Sequence, residues 1–236
     1  MRASLIACGI AGIGLVLLAL AGPSYRIGLP LGFGFGLLRY GAYVGLAAAV
    51  LAAGVAAWQW KRSRLAAGIA AVGAIVGLAV AWIPFSLQRR AQNVPPIHDI
   101  STDLENPPAF AAIVPLRADA PNPLNRTPDV ALQQREGYPD LAPLTLPEPS
   151  GQVFARAQET AERLGWEIVK ADAAAGLIEA TDTTRWFGFV DDIVIRVTPW
   201  GTGTRVDLRS VSRVGRSDIG TNAERIRDFL AALQEP

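Results

Sequence analysis

Three uncharged stretches, residues 3–25, 40–60 and 65–88, stand apart from a carboxyl-terminal half in which apolar positions recur at shorter spacings. None of them contains Asp, Glu, Lys or Arg, and each reaches the roughly 20 residues a helix needs to cross hydrocarbon. A helix can do so because its backbone groups bond internally while its side chains meet lipid. The pattern predicts three transmembrane helices, at about 4–22, 40–60 and 65–86. Tyr40, Tyr43, Trp58, Trp60, Trp82 and Phe85 fall near the ends of the second and third stretches, as interfacial aromatic residues do. Gly41/Gly45 and Gly73/Gly77 place small residues four apart, which permits close helix approach and homo-oligomerisation. An Ala/Gly-rich segment also produces that spacing by chance.

The cluster Lys61-Arg62-Ser63-Arg64 between the second and third stretches belongs on the cytoplasmic side by the positive-inside rule. Arg2 is then inside, and the chain after Ser86 emerges outside, with Arg89 and Arg90 reducing the contrast. Met1-Arg2 before an apolar run and Ala19-Leu20-Ala21 also fit a secretory signal. The run is long for one, so an uncleaved helix is expected, and both readings put the carboxyl-terminal domain outside. In a bacterium that means a multi-pass inner-membrane protein with its domain in the periplasm.

Residues 91–149 carry twelve prolines, which remove donors and fix φ, so an extended arm is expected there rather than long helices or central strands. Asp99, Ser101, Asp103 and Glu105 alternate like calcium ligands, but Leu104 stands where an EF-hand loop needs glycine. An edge strand or turn with a polar face fits better, and His98 reads as a structural residue.

Residues 150–236 show regular periodicities. Val153, Phe154, Ala157, Ala161 and Leu164 recur at helical spacing before Gly165. Strands are expected at Trp166–Ala171, Leu177–Thr184, Asp192–Thr198 and Thr204–Val214. A last helix, capped by Asp218 or Thr221, buries Ala223, Ile226, Phe229, Leu230 and Leu233. The order αββββα predicts an α+β domain, an antiparallel four-stranded meander with two helices on one face. On the fourth strand Arg205, Asp207, Arg209 and Arg213 share a side with Val211, near Arg196 and Glu179. That side reads as a solvated face with cross-strand ion pairs. The sharper alternative is a guanidinium-lined surface for an anion.

Composition removes many chemistries. The chain has 22 basic and 21 acidic residues, and residues 150–236 carry a net charge of −2, so nothing draws it towards nucleic acid. Cys8 and His98 are its only cysteine and histidine, which excludes an internal disulfide and any site needing two of either. No cofactor or metal is expected, nor does a charge lie mid-membrane to support ion transport.

Two strings, Thr184-Arg185-Trp186-Phe187-Gly188-Phe189-Val190-Asp191-Asp192 and Arg209 to Asn222, closely resemble the domain of unknown function 1499 family. The resemblance runs from about Pro95 to Leu233 and includes the Pro-Pro-Ile-His-Asp-Ile stretch of longer, multi-helix bacterial members. Shorter members carry a cysteine pair around a Pro-Asn turn. Here that stretch reads Ala118-Asp119-Ala120-Pro121-Asn122-Pro123, so any such disulfide is absent. The family has no established activity, so the resemblance implies a domain and a cell-envelope setting only.

The strings have physical readings of their own. In Trp186-Phe187-Gly188-Phe189 the aromatics either fill a corner or project as a platform. Asp191 and Asp192 open a strand on opposite faces, which makes them poor as an acid/base pair. The stretch entering the last helix could hold an anion at free N–H groups, beside Arg213 and Arg216. Alternatively Ser217, Asp218 and Thr221 cap the helix themselves while Arg213 pairs with Asp191 or Asp182.

The leading expectation is an envelope protein without evident catalysis, anchored in the lipid bilayer, whose domain binds a lipid, glycan or protein partner. Its candidate ligand-binding residues are Arg185, Trp186, Asp191, Arg213, Arg216, Ser217, Asp218 and Asn222. One alternative is a hydrolase or transferase using Asp191 or Asp182 with Arg213 and Ser217. Another is an assembly protein that oligomerises through its membrane helices.

Overall fold

The computed structural model describes residues 1–235. The chain divides into two compact units, Met1–Arg90 with Arg185–Gly188, and Ala91–Thr184 with the chain from Phe189 onward.

The first unit holds helices α1 (Arg2–Arg26), α2 (Leu31–Gln59) and α3 (Arg64–Gln92). All three are long and apolar enough to cross a membrane, which marks the chain as a membrane protein. Each outruns the stretch expected from hydrophobicity. The largest difference is α2, which begins nine residues before position 40 and takes in Arg39. Hydrocarbon restricts the side chains within it, but beyond it backbone hydrogen bonding continues through polar residues as readily as apolar ones. Guanidinium groups at the helix ends lie over aromatic rings, Arg62 on Trp58 at 4.4 Å and Arg64 on Trp60 at 4.1 Å.

The small residues are used between helices of this same chain. A Cβ at Gly41 would meet the Gly14 carbonyl at 3.2 Å, one at Gly77 the Gly45 carbonyl at 2.5 Å, and one at Gly73 Cys8 Sγ at 2.9 Å. Both glycine pairs therefore serve close packing within the three-helix unit.

The second unit is α+β, and its sheet has six strands rather than the four expected. In chain order they are β1 (Asp99–Ser101), β2 (Leu144–Leu146), β3 (Glu167–Asp172), β4 (Leu177–Thr183), β5 (Val190–Trp200) and β6 (Gly203–Ser212). The path runs β1-β6-β5-β4-β3, all antiparallel, with β2 also on β6. The two additional strands come from the proline-rich segment. Each has three residues, β2 filling the gap between Pro143 and Pro147 and β1 lying between Pro96 and Pro107, and they pair in succession along the edge of the longer β6. That segment also forms a 3-10 turn (Val114–Arg117) and helix α4 (Pro128–Gly137), whose Pro128 occupies the first turn, where no N–H is required.

Helices α5 (Ser150–Arg163) and α6 (Thr221–Gln234) cover one face of the sheet. Val153, Phe154, Ala157 and Ala161 meet Ile178, Ile193, Ile195 and Leu208 there, and Trp166 stacks on Phe229 with ring centres 5.2 Å apart. β5 and β6 join through Gly201 and Thr202, with Gly201 at φ 58°, where a two-residue hairpin favours glycine.

The opposite face corrects the expectation of a solvated charged surface. Glu179, Asp192, Asp207 and Arg209 are all buried, beneath the chain between Asp103 and Arg126. That strap supplies the partners. Asp103 bonds Arg196 and Arg205, which also bond Asp207. Arg126 and Arg209 share Asp99, and burial holds the Arg126 guanidinium below its usual range. Sequence alternation located the charges on one side, but the strap decided that they lie in a protein layer rather than water.

Candidate functional site

Arg185 and Trp186 belong to the helical unit, and the other six candidate residues to the sheet unit. At the end of α1, Arg26 donates to the carbonyl oxygens of Arg185 at 2.6 Å and Trp186 at 3.2 Å. A Cβ at Gly22 would collide with Trp186, and one at Gly34 would come within 3.2 Å of the Phe187 ring. Phe187 is buried, 5.8 Å from Phe35. Gly188 has φ 74°, the left-handed region that favours glycine. The aromatic string thus fills a notch between α1 and α2.

In the sheet unit the polar residues of the second string meet at the start of α6. Asn222 is fully buried and bonded on both sides of its amide. Its Oδ1 accepts from Ser210 Oγ at 2.6 Å and from Arg225 at 2.5 Å, while its Nδ2 donates to the His98 carbonyl at 3.1 Å and Ser212 Oγ at 3.0 Å. The Asp218 carboxylate accepts from the N–H groups of Gly220 at 2.8 Å and Asn222 at 2.9 Å, so the helix start is capped from within the chain. Burial raises the Asp218 pKa above the usual carboxylate value, opposed by those two amide bonds and reinforced by the charge of Asp191.

Ser217 Oγ accepts from the Ile219 N–H at 3.1 Å, and Ile219 holds φ 50°, a strained position for a β-branched residue. Arg216 is exposed, with its carbonyl 3.4 Å from His98 Nδ1.

Arg213 pairs with neither Asp191 nor Asp182. It bonds Asp192, at 2.8 Å, because both point to the strap side of the sheet while Asp191 and Asp182 point to the helices. Arg117 from the strap bonds the same Asp192 carboxylate. Asp191 and Asp182 instead flank Arg225, each 2.7 Å from its Nη2. Arg225 directs all five of its N–H donors inward: two bonds to Asp182, one to Asp191, one to Asn222 and one to Ser210. Burial alone would lower its pKa, but the two carboxylates reverse that and raise it. The grouping of Asp191 or Asp182 with Arg213 and Ser217 is accordingly split across two faces.

Beside Arg225 lies a cleft of about 230 Å³ lined by Leu164, Trp166, Asp182, Thr221, Glu224, Arg225 and Asp228. Both bonds from Arg225 to Asp182 end on Oδ2, and the Asp182 side chain keeps 32% of its surface accessible. Glu224 and Asp228 stand four apart on α6, on one exposed face. The cleft is rich in acceptors, with one guanidinium already committed. Among the described residues no group of three or more His, Cys, Asp or Glu side chains is arranged to hold a metal ion.

Sequence reasoning passed over Arg225, Glu224 and Asp228, treating the last helix by its apolar face alone. The signal was Asn222 and Arg225, three apart, which interrupt that face beside Ala223 and Ile226.

A family model described as "Protein of unknown function (DUF1499)" matches residues 99–233, more than half of the chain. No curated protein matches.

Proposed function

The chain belongs to the DUF1499 family, and we propose that it is an inner-membrane protein whose carboxyl-terminal domain stands in the periplasm and binds a sugar-like ligand of the cell envelope without transforming it. The observation that carries this reading is the cleft beside Arg225. It offers the open side of Asp182, the carboxylates of Glu224 and Asp228 and the hydroxyl of Thr221, next to the apolar edges of Leu164 and Trp166. Carboxylates accept strongly from hydroxyl and ammonium donors, and an apolar flank suits the C–H face of a sugar ring. A volume of about 230 Å³, below the roughly 300–1,000 Å³ of larger ligand pockets, suits one ring or a terminal residue. Phosphate fits poorly, because Arg225 has no donor left and three carboxylates face the space. Of lipid, glycan and protein partners, the cleft therefore favours a glycan.

The reading against catalysis rests on engagement. Asp191 and, through one oxygen, Asp182 are bound to Arg225, Asp192 to Arg117 and Arg213, and Asp218 to the start of α6, and neither Asp191 nor Asp182 shares a face of the sheet with Arg213. The periplasmic placement rests on Lys61-Arg62-Ser63-Arg64 being retained in the cytoplasm.

Two experiments test this. The full chain in nanodiscs is titrated with a panel of neutral sugars, amino sugars and phosphorylated sugars. Binding of a neutral or amino sugar, weakened about ten-fold or more by Asp182→Asn or Asp228→Asn, is the expected result. Preference for the phosphorylated members, or binding indifferent to both substitutions, would overturn the glycan reading. Protease added to spheroplasts should remove the domain and leave the helices. Cleavage in inverted vesicles alone would place it in the cytoplasm.

A further inference from the structure

Residues 103–122 cross the charged face of the sheet without joining a strand, and Ile113 is their one large apolar side chain that is fully buried. None of them belongs to the apolar core between the sheet and its helices. Polar contacts hold them instead. The Glu179 carboxylate, projecting from β4, accepts from three successive amides, Ala111 at 3.1 Å, Ala112 at 2.8 Å and Ile113 at 2.9 Å. Arg117 reaches Asp192 and the Val211 and Ser212 carbonyls. Asn122 donates to the Ser212 and Gly215 carbonyls at 3.1 and 2.8 Å.

We propose that residues 110–122 form a latch that opens as one unit over the charged face of the sheet, with the Glu179 carboxylate as its catch. Three consecutive N–H groups pointing at one carboxylate make an anion-binding nest whose occupant comes from the sheet itself. Replacing one of the two carboxylate oxygens by an NH2 group leaves at least one of the Ala111–Ile113 amides facing a donor instead of an acceptor, and lifting the turn into water relieves that cost. Lifting leaves the apolar core undisturbed, because the latch contributes nothing to it. This is the condition for a local opening well below the free energy of global unfolding. Opening uncovers Asp192, Arg209, Val194 and Val211, all buried when the latch is shut.

Hydrogen–deuterium exchange on the full chain in detergent micelles tests the latch. In Glu179→Gln, which keeps the side-chain shape but presents an amide to the nest, amides of 110–122 should exchange about ten-fold faster as a group. Peptides from β5, α5 and α6 should be unchanged. Arg117→Met removes a contact from the latch's own side and should accelerate the same set, so it decides the matter even if Glu179→Gln folds poorly. Acceleration confined to 111–113, no acceleration in 110–122, or acceleration spreading equally through α5 and α6 would each overturn the proposal.

Discussion

Asp191 and Asp192 are neighbours on β5, yet their carboxylates bind arginines on opposite faces of the sheet. Asp191 lies 2.7 Å from Arg225 on the helix side, and Asp192 lies 2.8 Å from Arg213 on the strap side. Strand alternation sends successive side chains to opposite faces, so this one step ties both covering layers to the same strand. Arg117 completes the link on the strap side and Asn222 on the helix side.

The buried and exposed pairs should respond very differently to truncation. Asp192→Ala leaves Arg117 and Arg213 without their shared partner in a buried site, and a loss of about 3–5 kcal/mol is expected. Asp140→Ala breaks the open pair with Arg227 and should cost about 0–1 kcal/mol. Denaturant or thermal unfolding of the two variants, followed by tryptophan fluorescence, checks the ranking. Equal losses would refute it.

Arg225→Lys tests whether the five-donor arrangement is needed. A lysine ammonium offers three donors from one point and cannot serve Asp182, Asp191, Asn222 and Ser210 together. At least one buried acceptor is left without a partner, at a cost of about 1–3 kcal/mol. A thermal melt of the full chain measures it, and unchanged stability would refute the expectation.

Asp218 predicts a pH dependence of definite sign. Its folded pKa is raised, chiefly by burial, above the reference value of 3.8. The folded state therefore holds this proton more tightly than the unfolded chain. That contribution is fully present below pH 3.8 and is lost as pH rises through the folded pKa. Melts of the wild type and Asp218→Asn across this window should show the wild type falling relative to the variant as pH rises. A constant difference would contradict the assignment.

In the helical unit, Gly77 and Gly9 make a controlled pair. A Cβ at Gly77 meets the Gly45 carbonyl at 2.5 Å and the Ala49 nitrogen at 2.8 Å, whereas one at Gly9 meets nothing within 4 Å. Gly77→Ala must push α2 and α3 apart, and a loss of about 1–3 kcal/mol is expected. Gly9→Ala should be neutral or slightly favourable through helix propensity. Resistance to unfolding in mixed micelles distinguishes them.

Some of this architecture was legible residue by residue. The three membrane helices followed from uninterrupted apolar length, and strands β3 to β6 from period-two alternation and the glycines that end them. The opposite facing of Asp191 and Asp192 followed from the same alternation. The polar stretch at Asp99–Ser101 was legible as an edge strand or turn, which is β1, but β2 was not, since three residues between Pro143 and Pro147 carry no periodicity and pair only because the β6 edge is present. Nor was the partner of Arg213 legible, because register across strands chose Asp192 over Asp191 and Asp182.

Local spacing and composition in the chain were enough to tell which segments are long and apolar enough to span a membrane, which strands alternate and which side of β6 bears charge, because these depend on neighbouring residues and on the solvent each segment prefers. Only the tertiary structure decided that the charged face is covered, that Arg225 gathers two aspartates, an asparagine and a serine, and that Glu179 holds a turn some 70 residues earlier in the chain. Those outcomes depend on distances between residues far apart in sequence, which the closing of the sheet and its covering layers sets.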